Sequence, residues 1–442
     1  MNVKARKIFF YFFIVVFIVG GAYLIVSAQG LTFDFQTLTF SRTGGLFLNY
    51  TPSGAEVRMN GVVRDYSSII NTLFGNGVFL NNLVPGNYTV EVEYPGYAPW
   101  QKTLMVKPGV VTAASSIILW PVNWNAKKIS DYTVSDFWLT GNGLVLKTDP
   151  NTLMFGKKTI KGSTVLLNDN GRDVIVTGDA KGYYLTNLGN ASSSTTIILP
   201  KGVKIDYWFF HPFDQNAVLA VGNKEVYSVS LTTGAARPLY AIEGDTNAYE
   251  NGNELFIAES NGDIFSVNPL LRTDVTMTTG ISGTITSMKS NGDGSILYLV
   301  SSNGNLYEYD RSNQTTTLAE SSSSPVWSIS PSLDGTRLAV ISKNGDCSMF
   351  AVTDYKMDEE VAKGASWQIR HTAPVTDFLW IPSASNYGIF LESSMLMVSE
   401  LDERTPQNQY EIESDVSKAL VNGNTLYFIK DGSLFEINLS QK

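Results

Sequence analysis

Residues 325–353 read PVWSISPSLDGTRLAVISKNGDCSMFAVT, and the organisation of the chain follows from this stretch. It divides into a short strand, a turn at Asp334-Gly335, an alternating strand over 336–341, a turn at Asn344-Gly345 and a third strand. Glycine or asparagine in such turns supplies the positive φ that tight hairpins require. The same order recurs in TITSMKSNGDGSILYLVSSNGNLYEYD (284–310), in IDYWFFHPFDQNAVLAVGNKEVYSVSL (205–231) and in KALVNGNTLYFIKDGSLFEINL (418–439). Repeat starts fall near Val134, Val165, Val203, Thr246, Ile285, Val326, Val375 and Val416.

A period of about 30–50 residues filled with short strands is the signature of propeller blades. This part, residues 122–442, resembles the WD-repeat-like propellers whose blades carry a Ser-Pro-Asp-Gly turn. Ser330-Pro331-Ser332-Leu333-Asp334-Gly335 is the best match, with two residues between Pro and Asp. No Trp-Asp dipeptide recurs, so the narrower WD family is not supported. The starts favour eight blades, and seven stays open because the first unit is short. The last copy shows three strands, and residues 125–132 are placed to supply its fourth. Closing the ring in this way removes sheet edges that would otherwise pair with other chains.

Residues 44–121 form a smaller β unit. Leu46, Leu48 and Tyr50 alternate, Asn60-Gly61 and Pro85-Gly86 mark turns, and Tyr88, Val90, Val92 and Tyr94 alternate again. The stretch resembles a PEGA domain through Pro52-Ser53-Gly54-Ala55, Val57, Asn60-Gly61, Leu83, Pro85-Gly86, Tyr88, Val90 and Gly96-Tyr97. Ser53 stands where the family tetrapeptide has glutamate, and residues 65–80 are longer and more apolar than the family pattern. The resemblance implies a small β-sandwich-like, non-catalytic module of the kind found beside anchors on exported proteins.

Ahead of it, residues 8–26 read IFFYFFIVVFIVGGAYLIV without a charge. As a helix this run is about 28 Å long, close to the hydrocarbon thickness of a bilayer. Lys4, Arg6 and Lys7 precede it and no basic residue follows before Arg42. The expectation is a cytoplasmic stub (1–7), a transmembrane anchor (8–26), a connector (27–43) containing Phe33, Phe35 and Phe40, and an extracytoplasmic remainder. The rival is a signal peptide cleaved after Val26-Ser27-Ala28, against which the apolar run is long.

Composition narrows the function classes. The 442 residues include 32 Lys+Arg and 41 Asp+Glu, a net charge of −9, which argues against nucleic acid. One cysteine, Cys347, excludes an intrachain disulfide, so an exported protein must rely on a large core, which 43% hydrophobic residues can supply. No Gly-x-Ser-x-Gly elbow, zinc-type His pair or phosphate loop occurs. His211 and His371 fall in distant repeats, and Asn291-Gly292-Asp293-Gly294 lacks the glutamate of a calcium loop. No cofactor or metal is expected. Asp358-Glu359-Glu360 reads as a solvated loop.

One pattern stands apart. Asp136, Asp206 and Asp377 open three repeats, followed by an aromatic residue and then Trp138, Trp208 and Trp380. At a channel rim, carboxylates beside indoles suit a sugar, a cation or a basic peptide. The structural alternative is that the aspartates accept turn N–H bonds and the tryptophans pack between blades. The expected function is a non-catalytic envelope binding or scaffold protein for a protein, peptide or glycan. The alternative is a surface-anchored propeller hydrolase or lyase.

Overall fold

A computed structural model of the chain describes residues 3–28, 30–34, 39–64, 77–140, 143–161, 164–166, 174–179, 182–188, 194–222, 224–251, 254–268, 273–320 and 324–440. Helix α1 spans Val3–Ala28. Its apolar residues from Phe9 to Val19 are exposed, and no polar face interrupts them. Among the described residues, no helix is long and apolar enough to cross a membrane. The single transmembrane helix expected over 8–26 is therefore not established by the fold. The connector expected over 27–43 holds two paired strands, Leu31–Asp34 against Thr39–Arg42. Phe35 lies outside the described residues, as do 65–76 of the insert in the small unit.

The small unit is two sheets around one core. Val62–Val63, Glu56–Met59, Gly86–Glu93 and Trp100–Val106 form a four-stranded sheet. Gly77–Leu83, Gly44–Thr51 and Val111–Ile118 form a three-stranded one, its last pair parallel. Alternation puts Leu46, Leu48, Val57, Val90, Val92, Trp100 and Leu104 inside, all fully buried.

Among the described residues, the strands after residue 121 form eight four-stranded antiparallel sheets and one two-stranded hairpin. The first strands of sheets 1 to 7 are, in chain order, Asp136–Thr140, Thr164–Leu166, Ile205–Phe210, Asp245–Asn251, Ile285–Ser290, Val326–Pro331 and Val375–Trp380. Sheet 8 consists of Val416–Asn422, Thr425–Lys430 and Ser433–Asn438, and Lys127–Lys128 is its fourth strand. Each neighbouring pair of sheets shares an apolar cluster, and the cluster of Val134, Phe137, Ile429 and Leu434 joins sheet 8 to sheet 1. Second strands are covered on both faces, which is why Ala217–Gly222, Arg337–Ser342 and Tyr387–Glu392 are buried throughout. A ring of sheets closed by the N-terminal strand is a β-propeller.

Neighbouring sheets are stitched by one recurrent backbone bond. Val134, Val326, Val375 and Val416 donate their N–H to the carbonyls of Gly432, Gly304, Gly345 and Ser394 of the preceding sheet, at 2.7–2.9 Å. Ser394 shows that the bond itself tolerates a side chain, but at two of the contacts the space admits only glycine. A Cβ on Gly345 (φ +87°) would lie 2.4 Å from Pro374 Cβ, and one on Gly304 (φ +82°) 2.2 Å from Pro325 Cβ.

Candidate functional site

Six first strands carry a one-residue bulge at the same place: between Ile205 and Tyr207, Asp245 and Asn247, Ile285 and Ser287, Val326 and Ser328, Val375 and Asp377, and Val416 and Lys418. The recurrent backbone bond aligns Val134 of sheet 1 with Val326, Val375 and Val416. Asp136, Ser328, Asp377 and Lys418 are thus equivalent positions. First strands stand beside one another round the centre of the ring, as the bond from Asn247 Nδ2 to Thr286 O (3.1 Å) between sheets 4 and 5 shows.

Three consecutive sheets therefore present an acid–base–acid arc: Asp377 on sheet 7, Lys418 on sheet 8 and Asp136 on sheet 1. Lys418 Nζ is ion-paired with Asp136, donates to Phe137 O at 3.1 Å, and lies 5.4 and 5.3 Å from the ring centres of Phe137 and Trp138. Asp377 accepts the N–H of Phe378 at 2.8 Å and makes no ion pair among the described residues. Its residue is exposed, yet protein hems in the carboxyl. This desolvation raises its pKa, against the opposing effects of the Phe378 N–H and the Lys418 charge.

The three aspartate–tryptophan pairs do not share a register. Asp377 follows the bulge and Asp136 holds the equivalent place in sheet 1, whereas Asp206 is the bulged residue, 3.2 Å from Lys204, and Tyr207 takes the equivalent place. Counted from that place, Trp208, Trp138 and Trp380 stand one, two and three residues on. Trp208 packs edge-on to Tyr183 between sheets 2 and 3, with centroids 5.5 Å apart. Trp380 packs on Phe378 at 4.8 Å, and its Nε1 donates to Ser330 O at 3.2 Å. Only Trp138 lies against the arc. The structure thus brings Asp136, Trp138 and Asp377 together with Lys418 and leaves Asp206, Trp208 and Trp380 elsewhere. Lys418 was missed by reading motifs along the chain. Aligning Val416 with Val134 and Val375 exposes it, two residues on in each case.

A second cluster lies where the small unit meets the propeller. Lys102, on the edge strand Trp100–Val106, is fully buried, with Nζ 2.9 Å from Glu400 Oε1 and 3.1 Å from Asp402 Oδ2. Arg404 is ion-paired with Asp402 and Asp358, and its Nη1 donates to Ala113 O at 2.7 Å. Asp358 accepts from the Ser115 N–H at 2.8 Å and Ser115 Oγ at 2.5 Å. Asp358 is therefore not the solvated loop residue expected from its charge run. It tips a hairpin, Tyr355–Lys356 with Glu360–Val361, inserted into sheet 6. The amide of Asn408 replaces a strand neighbour for Gln101, accepting its N–H at 3.0 Å and donating to its carbonyl at 3.1 Å. Propeller side chains thus cap edges that the two small sheets leave open. Burial raises the Asp402 carboxyl, but hydrogen bonds from Arg404 and the charges of Lys102 and Arg404 outweigh it and hold the pKa below its ordinary value.

The other candidates have structural roles. His211 Nδ1 accepts from the Asp214 N–H at 3.0 Å within a turn, and His371 Nδ1 lies 3.1 Å from Ala373 O. Asp293 accepts from Ser295 N and Oγ. Cys347 is buried, which pushes its thiol pKa up. No group of three or more His, Cys, Asp or Glu that would hold a metal occurs among the described residues.

No family model matches the chain, and no curated protein matches it. Solved structures similar to it include BamB from Moraxella catarrhalis, at 13% identity and a TM-score of 0.48, covering 71% of this chain and 99% of that one. The computationally designed Ika8 protein has 12% identity and a TM-score of 0.48, with 70% and 97% covered. The Cps50 (Swd1) β-propeller domain of Myceliophteria thermophila has 12% identity and a TM-score of 0.41, with 65% and 99% covered.

Proposed function

We propose that this chain is a membrane-anchored, extracytoplasmic binding or scaffold protein, an eight-bladed propeller carrying a PEGA-type module. The observation that carries the binding role is the Asp377–Lys418–Asp136 arc, which sets two acceptors and a donor side by side on the central wall. The seam around Lys102 supports a rigid two-part body, and the uncharged run at 8–26 supports the anchor. The full chain in detergent micelles, unfolded by heat against envelope glycans, peptides and divalent cations, tests this. A partner of the native state raises the midpoint. The rise is expected to disappear in Asp377→Asn and Lys418→Met, and its persistence in both would refute a site at the arc. Protease added to intact spheroplasts should cleave the β part, and full protection would refute the orientation.

Asp377 also has a pH signature. A carboxyl whose pKa is raised on folding binds protons more tightly when folded, so it weakens the fold at neutral pH. Asp377→Asn is expected to raise the melting temperature at pH 7. Its advantage should fade as pH falls through the raised value toward the ordinary 3.8.

The hydrolase or lyase reading draws on one observation: Asp136 is ion-paired while Asp377 is not, so two carboxylates near one cation sit in unlike environments. An Asp377→Asn protein that binds a ligand it no longer converts would establish it.

A further inference from the structure

The residue just before the aligned position of the arc is a hydroxyl residue in several sheets. Thr286 and Thr376 stand at the bulge in sheets 5 and 7, and Ser135 at the equivalent place in sheet 1, whereas sheet 3 has the acid Asp206. Each hydroxyl donates to the carbonyl opposite: Lys147 O at 3.1 Å, Val300 O at 3.2 Å and Leu391 O at 3.0 Å. The hydroxyl repays the ladder bond that a bulge interrupts. In sheet 6 the position is Trp327, which has no hydroxyl to reach Ile341, the residue opposite Ser328. Its indole is 50% exposed and donates to no group among the described residues. A large apolar ring thus stands, one sheet from Asp377, where three other sheets carry a bonded Ser or Thr hydroxyl. Departures from a local structural rule mark functional positions, and bulges at such places re-aim side chains.

We infer that the channel mouth binds a saccharide, whose ring stacks on Trp327 while its hydroxyls reach Asp377, Lys418 and Asp136. This rests on the binding role proposed above and names its ligand class. A pyranose offers one apolar C–H face and a rim of groups that both donate and accept. An exposed indole face beside an acid–base–acid arc matches both features. A basic peptide would meet Lys418 on the same wall, and an acidic one would meet the two aspartates.

The test uses the full chain in detergent micelles, with chitohexaose, maltohexaose and a hexagalacturonate as probes and a decalysine peptide for comparison, read by calorimetric titration. At least one oligosaccharide should bind. Trp327→Thr supplies the threonine hydroxyl that sheets 5 and 7 carry, so it should fold as well as the parent or melt slightly higher, yet bind that oligosaccharide about tenfold or more weakly. Asp377→Asn should weaken it too. No binding by any oligosaccharide, or binding unchanged in Trp327→Thr, overturns the inference. If the peptide binds instead and Asp377→Asn abolishes it, the saccharide inference falls while the wider binding role stands. If no probe binds and cross-linking in intact envelopes finds no neighbour at the mouth, both fall.

Discussion

Lys102→Met is expected to lower the unfolding free energy by about 3–5 kcal/mol, because it leaves the Glu400 carboxylate buried without its cation and Asp402 with Arg404 alone. Denaturant unfolding of the full chain measures this. The loss comes from unpaired charge rather than lost packing, so Lys102→Met with Glu400→Gln should recover part of it. A double-mutant cycle reads the coupling. Equal losses in the single and double variants would mean that the aliphatic stem, not the charge, holds the seam. The same cluster predicts an acid sensitivity. Asp402 has a folded pKa below its ordinary value of 3.8, so its contribution is complete above that value. As pH falls from there through the lower folded value, the carboxyl is protonated and the contribution disappears. Asp402→Asn should flatten the acid limb of the stability profile.

The second large effect is expected at Gly345. In Gly345→Ala, an L side chain must adopt φ +87° and its Cβ must displace Pro374, whose Cα and Cβ would lie 2.6 and 2.4 Å away. Left-handed strain costs about 1–2 kcal/mol, and the forced repacking adds about 1–3 kcal/mol. Gly335→Ala is the matched comparison: φ is +69° but nothing lies within 4 Å, so only the strain should remain. Urea unfolding of the two variants isolates the contact between sheets 6 and 7. Gly304→Ala should behave like Gly345→Ala, because its Cβ meets Pro325 in the same way.

These two sites differ in how far the sequence reveals them. The β-propeller is legible from residues 325–353, because Asp-Gly and Asn-Gly turns between alternating strands are local signals. Gly345 could be recognised as a turn residue, but not as a contact, because Pro374 belongs to the next repeat. Alternation identifies strands in the small unit and puts Lys102 on the inner face with Trp100 and Leu104, but it does not say what neutralises the charge there. Its partners Glu400 and Asp402 lie about 300 residues away, and no spacing rule connects them. The channel shows both outcomes in one motif. Asp136 and Asp377 meet through Lys418, whereas Asp206 fell out of register because it is itself the bulged residue. A motif read along the chain cannot see a one-residue slip, yet the slip changes which way every later side chain faces.

The fourth strand of sheet 8 also sets the order of events during synthesis. Lys127 pairs with Glu436, 309 residues later. The strand at Lys127–Lys128 must wait for the last strand of the chain before its partner exists. At about 5–20 residues per second the interval is about 15–60 s. Throughout it, finished sheets present an apolar flank to the surroundings, and truncation near the C-terminus leaves the circle open.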